Sequence, residues 1–280
     1  MKPANQLIVL LFCAFTFFTS CKKTNDATAS QEIEATFELS GDQAIADNLN
    51  EDDNSILFGI TAEKDLQGSS FSAPAQSSFI AGCGIVTVTP QNGFPKTVVV
   101  DYGTGCTSDG IFRSGKIKIV LSDSLRKSGS TAVMTFDNYF VNSFKREGTI
   151  TWANTSVSNV KSWQRKVENG KITSPDGKYW IHNGIKTFIQ TEGLNTPHNP
   201  LDDVFLITGS SSVTNAAGKT RNATIIEALQ KKFACANIDK GKIRIDGPNH
   251  FAVIDFGDGT CDRIATISID GKPARTITLR

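Results

Sequence analysis

The sequence predicts an all-β protein, built as an antiparallel meander of short strands with little helix. Two observations support this prediction: segments in which apolar and polar residues alternate, and a cysteine-flanked hairpin pattern that occurs twice. The alternation favours strands with one face in a core and the other in water. Both a large sandwich and a curved half-barrel agree with this pattern.

The alternation is clearest near the middle of the chain. Ile117, Ile119 and Leu121 share one face of a predicted strand, whereas Lys116 and Lys118 lie on the other. Asn-Gly, Asp-Gly and Gly-Lys pairs separate such segments, as expected for turns between strands. The same pattern predicts strands at 132–136, 150–152, 243–245, 265–269 and 276–279.

The repeated unit consists of a cysteine, a strand, a turn, a second strand, Asp-aromatic-Gly and a second cysteine. It spans residues 83–106 and 235–261. In an antiparallel hairpin, the residue before the first strand and the residue after the second lie at the same end. We therefore predict the disulfides Cys83–Cys106 and Cys235–Cys261, which would close the two hairpins. A zinc site formed by all four thiolates is the alternative, although the sequence has no Cys-x-x-Cys pair.

The N-terminus has the pattern of a secretory signal over residues 1–20. Lys2 precedes an apolar run from Leu7 to Phe18, which is too short to span about 30 Å of hydrocarbon as a helix. The run leads into Phe18-Thr-Ser-Cys21, which resembles the lipobox of bacterial lipoproteins, where the cysteine is acylated after cleavage. We predict Cys21 as the lipidation site. An ordinary signal peptide is the alternative.

Three further regions follow from composition. Residues 21–35 are predicted to be a lipidated flexible tether, because 22–30 contain no large apolar residue. Residues 36–78 form an N-terminal segment with a possible short helix at 42–50, and residues 79–280 form the β domain. Residues 224–233 also fit a helix, but the β-branched start Thr224-Ile-Ile favours a strand.

Several motifs follow one another in a characteristic order. They are the acidic segment 41–54, Val100-Asp-Tyr-Gly-Thr-Gly-Cys106, the segments 113–119, 135–142 and 147–150, and Asp255-Phe-Gly-Asp-Gly-Thr-Cys-Asp262. This order resembles that of a Bacteroidota group of lipoproteins without assigned function. The resemblance implies an outer-membrane location, on either the periplasmic or the cell-surface side, and supplies no chemistry. Residues 254–260 also resemble the turn signature of PKD domains, but only over this short stretch.

The sequence argues against several functions. Lys and Arg number 29 against 28 Asp and Glu, so no basic surface favours nucleic acid. His182, His198 and His250 lack metal-binding spacing, and no Gly-x-Ser-x-Gly motif exists. We predict no catalytic residue, no cofactor and no metal site. Turn carboxylates are expected to bond the local backbone, with Ca²⁺ binding as the alternative; they are Asp101, Asp109, Asp255, Asp258 and Asp262.

These observations favour a lipid-anchored cell-envelope protein that acts as a binding or scaffold module. Its expected partners are the membrane, through the lipid, and another envelope protein. A carrier that holds an apolar ligand on a curved sheet is the alternative, because the chain is rich in Phe relative to Trp and Tyr. A carbohydrate-active enzyme is the second alternative, since a catalytic carboxylate pair is recognised only in space.

Overall fold

The computed structural model describes residues 23–62, 75–76, 82–108 and 110–279, and it confirms the all-β prediction. In these ranges one α-helix, α1 (Lys23–Ala62), precedes one antiparallel sheet, and a short 3-10 helix covers Pro200–Asp202. The strands are β1 Ala75–Gln76, β2 Ile85–Thr89, β3 Lys96–Asp101, β4 Cys106–Ser108, β5 Ile111–Leu121, β6 Thr131–Val141, β7 Phe144–Arg146, β8 Thr149–Asn154, β9 Ser162–Thr173, β10 Tyr179–Glu192, β11 Val204–Asn215, β12 Thr220–Lys232, β13 Lys240–Asp246, β14 Phe251–Asp258, β15 Ile264–Ile269 and β16 Arg275–Thr278.

The strands follow one another through the sheet almost in chain order. β7 and β8 are two parts of one interrupted strand between β6 and β9, while β4 forms a short hairpin with β5. β1 and β16 end the strand order, and within the described ranges no strand pairs with the outer edge of either. The fold is therefore one continuous meander and not two packed sheets.

The sheet curves around α1 and encloses its C-terminal half. Every residue from 46 to 54 is buried, and this stretch covers about two and a half turns, so no side of the helix faces water there. Strands across most of the sheet send side chains to α1: Arg113 of β5, Arg146 of β7, Arg165 of β9, Lys186 of β10, Arg221 of β12 and Arg275 of β16. Among the described residues, no helix is both long and apolar enough to cross a membrane.

Aromatic side chains fill the space between α1 and the sheet near the end of the helix. The ring of Phe58 packs edge-on against Trp152, Trp163 and Phe205, with centroid distances of 5.5, 5.0 and 5.2 Å. All four side chains are buried, so the helix and the sheet share one hydrophobic core. Edge-to-face packing of this kind stabilises beyond the apolar area that it buries.

The meander places its turns alternately at two ends of the sheet. At the proximal end, where α1 enters, Glu38 of α1 lies 3.6 Å from Lys178 in the β9–β10 turn. At the distal end, where α1 stops, the Ala62 carbonyl oxygen lies 2.9 Å from Nδ1 of His198 in the β10–β11 loop.

The structure contains both predicted disulfides. Cys83 joins Cys106 across the β2–β3 hairpin, with a Cα–Cα distance of 6.1 Å. Cys235 joins Cys261 across the β13–β14 hairpin, with a Cα–Cα distance of 5.4 Å. The first bridge lies at the proximal end and the second at the distal end. The pairing inferred from the repeat is therefore confirmed.

The helix differs from what the sequence predicted. The possible short helix at 42–50 exists but belongs to the much longer α1, which from Lys23 onward replaces the flexible tether expected over 21–35. Ala35 is already buried, and Ile33 packs against the core. Because α1 lies inside the sheet, the boundary at 78/79 does not separate two units. The strand favoured at 224–233 is confirmed over 224–232, which belong to β12. The signal sequence, Cys21 and Lys22 lie outside the described residues.

Candidate functional site

The most unusual part of the molecule is the polar stretch of α1 inside the sheet. Asp47, Glu51, Asp52 and Asp53 are all buried, as are the neighbouring amides of Asn48, Asn50 and Asn54. An ordinary surface helix would turn such residues to water and bury only an apolar stripe. This helix is polar on sides that never reach solvent, so the sheet must supply its partners.

Each of the four carboxylates meets one cation from a different strand. These cations occupy inward-facing positions, where alternate residues of a strand point toward the core. The four ion pairs and their shortest N–O distances are Arg113–Asp52 at 2.7 Å, Arg146–Asp53 at 2.6 Å, Arg165–Glu51 at 2.7 Å and Lys186–Asp47 at 2.5 Å.

The two charges in each of the four pairs neutralise each other, but the pairs by themselves do not lower the free energy of the folded state much. Moving two charges out of water costs several kcal/mol per ion, and a buried pair commonly does little better than an apolar replacement. Their geometry instead fixes the position of α1 relative to the sheet. Because the partners come from β5, β7, β9 and β10, sliding or rotating α1 would separate several pairs at once.

Arg165 shows why guanidinium groups are used here. Its planar group lies over the rings of Trp152 and Phe188, at 5.4 and 4.8 Å from their centroids. Its Nη1 atom also donates a hydrogen bond to the backbone carbonyl oxygen of Asn50 at 3.2 Å. A guanidinium can stack on aromatic faces while it bonds a carboxylate, which the compact ammonium of lysine does less well.

His182 joins the same interior as a neutral ring. The Asn50 amide oxygen accepts from Arg146, so its nitrogen donates to His182 Nδ1 at 3.3 Å. The other ring nitrogen, Nε2, lies 3.2 Å from the side-chain nitrogen of Gln43 and 3.7 Å from Asp47 Oδ1. Burial lowers the pKa of His182 to about 3, and the nearby Lys186 and Arg165 add to this against the opposing Asp47.

The carboxylates titrate differently although all are paired. Burial alone would raise the pKa of Asp47, but Lys186 and His182 outweigh it and the pKa is lowered. Burial raises the pKa of Asp53, and its partner Arg146 only partly offsets this. Among the described residues, several buried polar atoms of this interior have no hydrogen-bond partner, including Gln43 Oε1, Asp53 Oδ1 and Tyr139 Oη.

The polar contacts of this interior hold α1 to the sheet. Its carboxylates are held by cations, and its histidine is enclosed by amides. The acidic segment 41–54 indicates only a possible short helix and a resemblance, and nothing near it in the sequence points to its basic partners, which lie in distant strands. A signal was present: Arg113, Arg165 and Lys186 interrupt the apolar alternation on the core-facing side of their strands.

The outer surface carries an exposed aliphatic cluster at the distal end. Val157 and Val160, which are 68 % and 47 % exposed, bridge each other in the β8–β9 turn. The Gln190 N–H donates to the Lys161 carbonyl oxygen at 3.0 Å and ties this turn to β10. We call the cluster the apolar corner; it consists of Val157, Val160, Ile189, Leu194, Leu201 and Leu206.

The corner continues across the neighbouring strands. Ile189 of β10 lies directly opposite Leu206 of β11, and both are more than a third exposed on the outer face. Leu194 and Leu201 belong to the loop between these two strands and are each 45 % exposed. Single exposed aliphatic residues are ordinary, but a group of this size in adjoining elements is typical of a protein-binding surface.

A shallow groove of about 460 Å³ also crosses the outer face at β9–β12. Ser210, Ser212 and Asn183 line it, together with Glu168, the one carboxylate among its described lining residues. Glu168 pairs with Lys166 at 2.8 Å. A retaining or inverting glycosidase needs two carboxyl groups across the bond that it cleaves. The groove does not provide that pair.

The aspartates singled out in the sequence accept hydrogen bonds from the backbone two residues further on, as expected in turns. The acceptor and donor pairs are Asp101 with Gly103 at 2.8 Å, Asp255 with Gly257 at 3.0 Å, Asp258 with Thr260 at 3.1 Å, and Asp262 with Ile264 at 2.8 Å. Asp109 lies outside the described residues. The turns thus account for these four side chains.

The histidines and cysteines are distributed over separate sites. His182 is in the interior, His198 contacts the end of α1, and His250 lies 2.7 Å from Asp270. Cys235, Cys261 and Asp239 have potential ligand atoms within 4.8 Å of one another. The two sulfurs are bonded to each other, however, and Asp239 is paired with Lys232 at 3.3 Å.

A scan against protein-family models found no matching family, and searches of curated proteins and of solved structures found no match either.

Proposed function

We propose that this chain is a lipid-anchored cell-envelope protein, attached through Cys21 at the outer membrane, that acts as a binding or scaffold module through its outer surface. The observation that carries the proposal is that the protein's own helix fills the concave side of the sheet. The side of a curved sheet that would otherwise receive a ligand is thereby occupied, and the outer surface is left for binding.

The filled interior weighs against the carrier alternative. An apolar ligand on the concave side would have to replace α1, and it would then leave Arg113, Arg165 and Lys186 buried without their carboxylates. Uncompensated buried charges are among the costliest features in a protein. The phenylalanines that kept this alternative open are explained in part by the core, where Phe58, Phe188 and Phe205 pack on the tryptophans.

The apolar corner is the surface that we assign to the partner. It lies on the outer face at the distal end, and its six aliphatic side chains are exposed in the isolated chain. A second envelope protein with its own apolar contact surface is the partner that fits this chemistry. The groove at β9–β12 supplies a single carboxylate, so the enzyme alternative has less support.

Two experiments test this proposal. Organic extraction of the purified protein followed by mass spectrometry should yield no stoichiometric lipid beyond the N-terminal acyl chains. Cross-linking in cells should join one specific envelope protein to the chain, and Val157→Ser with Ile189→Ser should reduce that product at least several-fold. Ile226→Ser is the matched control, because Ile226 is 54 % exposed but lies outside the corner.

Each outcome bears on a different part of the proposal. A co-purifying lipid at one equivalent would support the carrier instead. A cross-linked partner that is lost equally with Ile226→Ser would remove the corner from the interface. Cleavage of glycans, lost on changing Glu168, would establish the enzyme. The anchor is checked separately, because Cys21→Ala should abolish acylation whereas Cys13→Ala should not.

A further inference from the structure

Helix α1 begins almost at the residue proposed to carry the lipid. Only Lys22 separates Cys21 from Lys23, the first residue of α1, and the helix then continues without a break for 40 residues. The sequence between Lys23 and Ala62 contains no proline. A lipid on Cys21 would therefore be one residue away from the first residue of α1.

The first part of this helix precedes its described contacts with the sheet. Nine residues, 23–31, come before Glu32, whose carboxylate pairs with Arg221 of β12. At 1.5 Å rise per residue they span about 14 Å. Two contacts fix the helix where it leaves the proximal end: Glu32 pairs with Arg221, and the Arg275 guanidinium lies 4.5 Å from the ring centroid of Phe37.

The inner part of the same helix cannot turn or slide freely. The four ion pairs connect it to four different strands, and Phe58 is packed among Trp152, Trp163 and Phe205. Any tilt of the outer part of α1 relative to the sheet must therefore bend the helix or break these contacts. The direction of α1 at the membrane sets the direction of the whole protein.

We propose that α1 is a rigid stalk, which holds the proximal end of the sheet about 14 Å from its membrane attachment point and directs the apolar corner away from the bilayer. This inference rests on the proposed lipidation of Cys21. It deepens the proposed function, because it states which side of the protein a partner must approach. Since α1 enters the sheet at the opposite end, a bilayer that holds the anchor would not cover the corner.

Energy transfer to the bilayer surface tests the stalk. The acylated protein is placed in vesicles of phosphatidylethanolamine and phosphatidylglycerol that contain an acceptor dye on some headgroups. A donor dye is attached to an introduced cysteine, either at the proximal end with Lys178→Cys or at the distal end with Lys127→Cys. Both side chains are well exposed. We expect clearly more efficient transfer from the proximal label than from the distal one.

A helix-breaking variant separates a rigid stalk from a flexible attachment. Ala29→Pro lies before the first contact with the sheet at Glu32, so it should interrupt the stalk and leave the enclosed fold intact. The difference between the two labels should then shrink and each donor-lifetime distribution should broaden. Ala29→Gln, which keeps the helix, should behave as wild type. Unchanged near-ultraviolet circular dichroism and thermal unfolding would establish that the enclosed fold is intact in both variants.

The outcomes distinguish the stalk from the anchor. Equal transfer from the two labels in wild type, or no effect of Ala29→Pro, would overturn the stalk. An unmodified N-terminal peptide in mass spectrometry would instead overturn the lipidation. In that case the mature chain is coupled through the Cys21 thiol to a maleimide lipid, and the same two labels then test the stalk independently of the natural anchor.

Discussion

At the scale of single residues, the contribution of a charged side chain to stability depends on which face of its strand it occupies. Arg165 and Lys166 are neighbours in β9, yet one faces the helix and the other faces water. Arg165 is 1 % exposed and pairs with the buried Glu51, whereas the side chains of Lys166 and its partner Glu168 are both 49 % exposed. The two pairs therefore contribute very differently to stability.

Removing one member of the buried pair should be strongly destabilising. Arg165→Leu leaves Glu51 buried without its cation, and we expect a loss of about 3–5 kcal/mol in the free energy of unfolding, measured in urea. The double variant with Glu51→Leu should recover much of that loss, because neither charge remains. Lys166→Leu is the matched control, with an expected cost of about 0–1 kcal/mol. A double variant as unstable as Arg165→Leu alone would contradict this account of the pair.

His182 should make stability depend on pH in a defined direction. Its pKa is lowered from 6.5 to about 3 in the folded protein, so between these values the unfolded chain binds the extra proton. Stability from this group is present above pH 6.5 and is lost as the pH falls toward 3, by at most about 1.4 kcal/mol per pH unit. His182→Gln should remove this contribution, seen as the difference between the two unfolding free energies from pH 4 to 7.

The comparison with the variant is needed because other groups act in the opposite direction. Burial raises the pKa of both Asp42 and Asp203 from 3.8 to about 7, so the folded state holds more protons than the unfolded chain in that range. Their contribution to stability increases as the pH falls. The contributions of Asp42 and Asp203 are the same in wild type and in His182→Gln, so they cancel when the two unfolding free energies are subtracted. Identical pH dependence of the two proteins would show that the pKa of His182 does not differ between the folded and unfolded states.

At the scale of elements, the strands and both disulfides followed from local patterns, whereas most of α1 did not. Ile117 and Ile119 alternate with lysines because β5 has a wet side, and the sequence alone contains that information. The helix is different, because residues 46–54 bury polar side chains on all sides and show no apolar stripe. Their burial depends on cations 60 or more residues away, such as Arg113 for Asp52.

The two hairpin bridges should be detectable and separable. Peptide mapping without reduction should find Cys83 linked to Cys106 and Cys235 linked to Cys261, with no free thiol among these four. Replacing either pair by serines should lower the free energy of unfolding by roughly 3 kcal/mol, since each bridge closes a loop of similar length. A peptide that joins one unit to the other would refute the pairing.

At the scale of the whole molecule, the sheet and α1 form one body around one core. The all-β class was predictable because most elements pair with their neighbours in sequence. The enclosed helix and the apolar corner were not, because each requires knowing which distant segments the curvature brings together. Val160 and Leu206, for example, come from elements that only the β9–β10–β11 arrangement makes adjacent.

The chain order of the four ion pairs also has a consequence for biogenesis. If the chain is exported from its N-terminus, as the proposed function requires, α1 emerges first, while its cations at positions 113, 146, 165 and 186 follow only much later. An apolar central helix would expose its hydrophobic surface next to a membrane until the sheet had formed. The acidic stretch instead stays hydrated and is repelled by anionic headgroups. It becomes buried only after the strands that contain its four basic partners have been synthesised and exported.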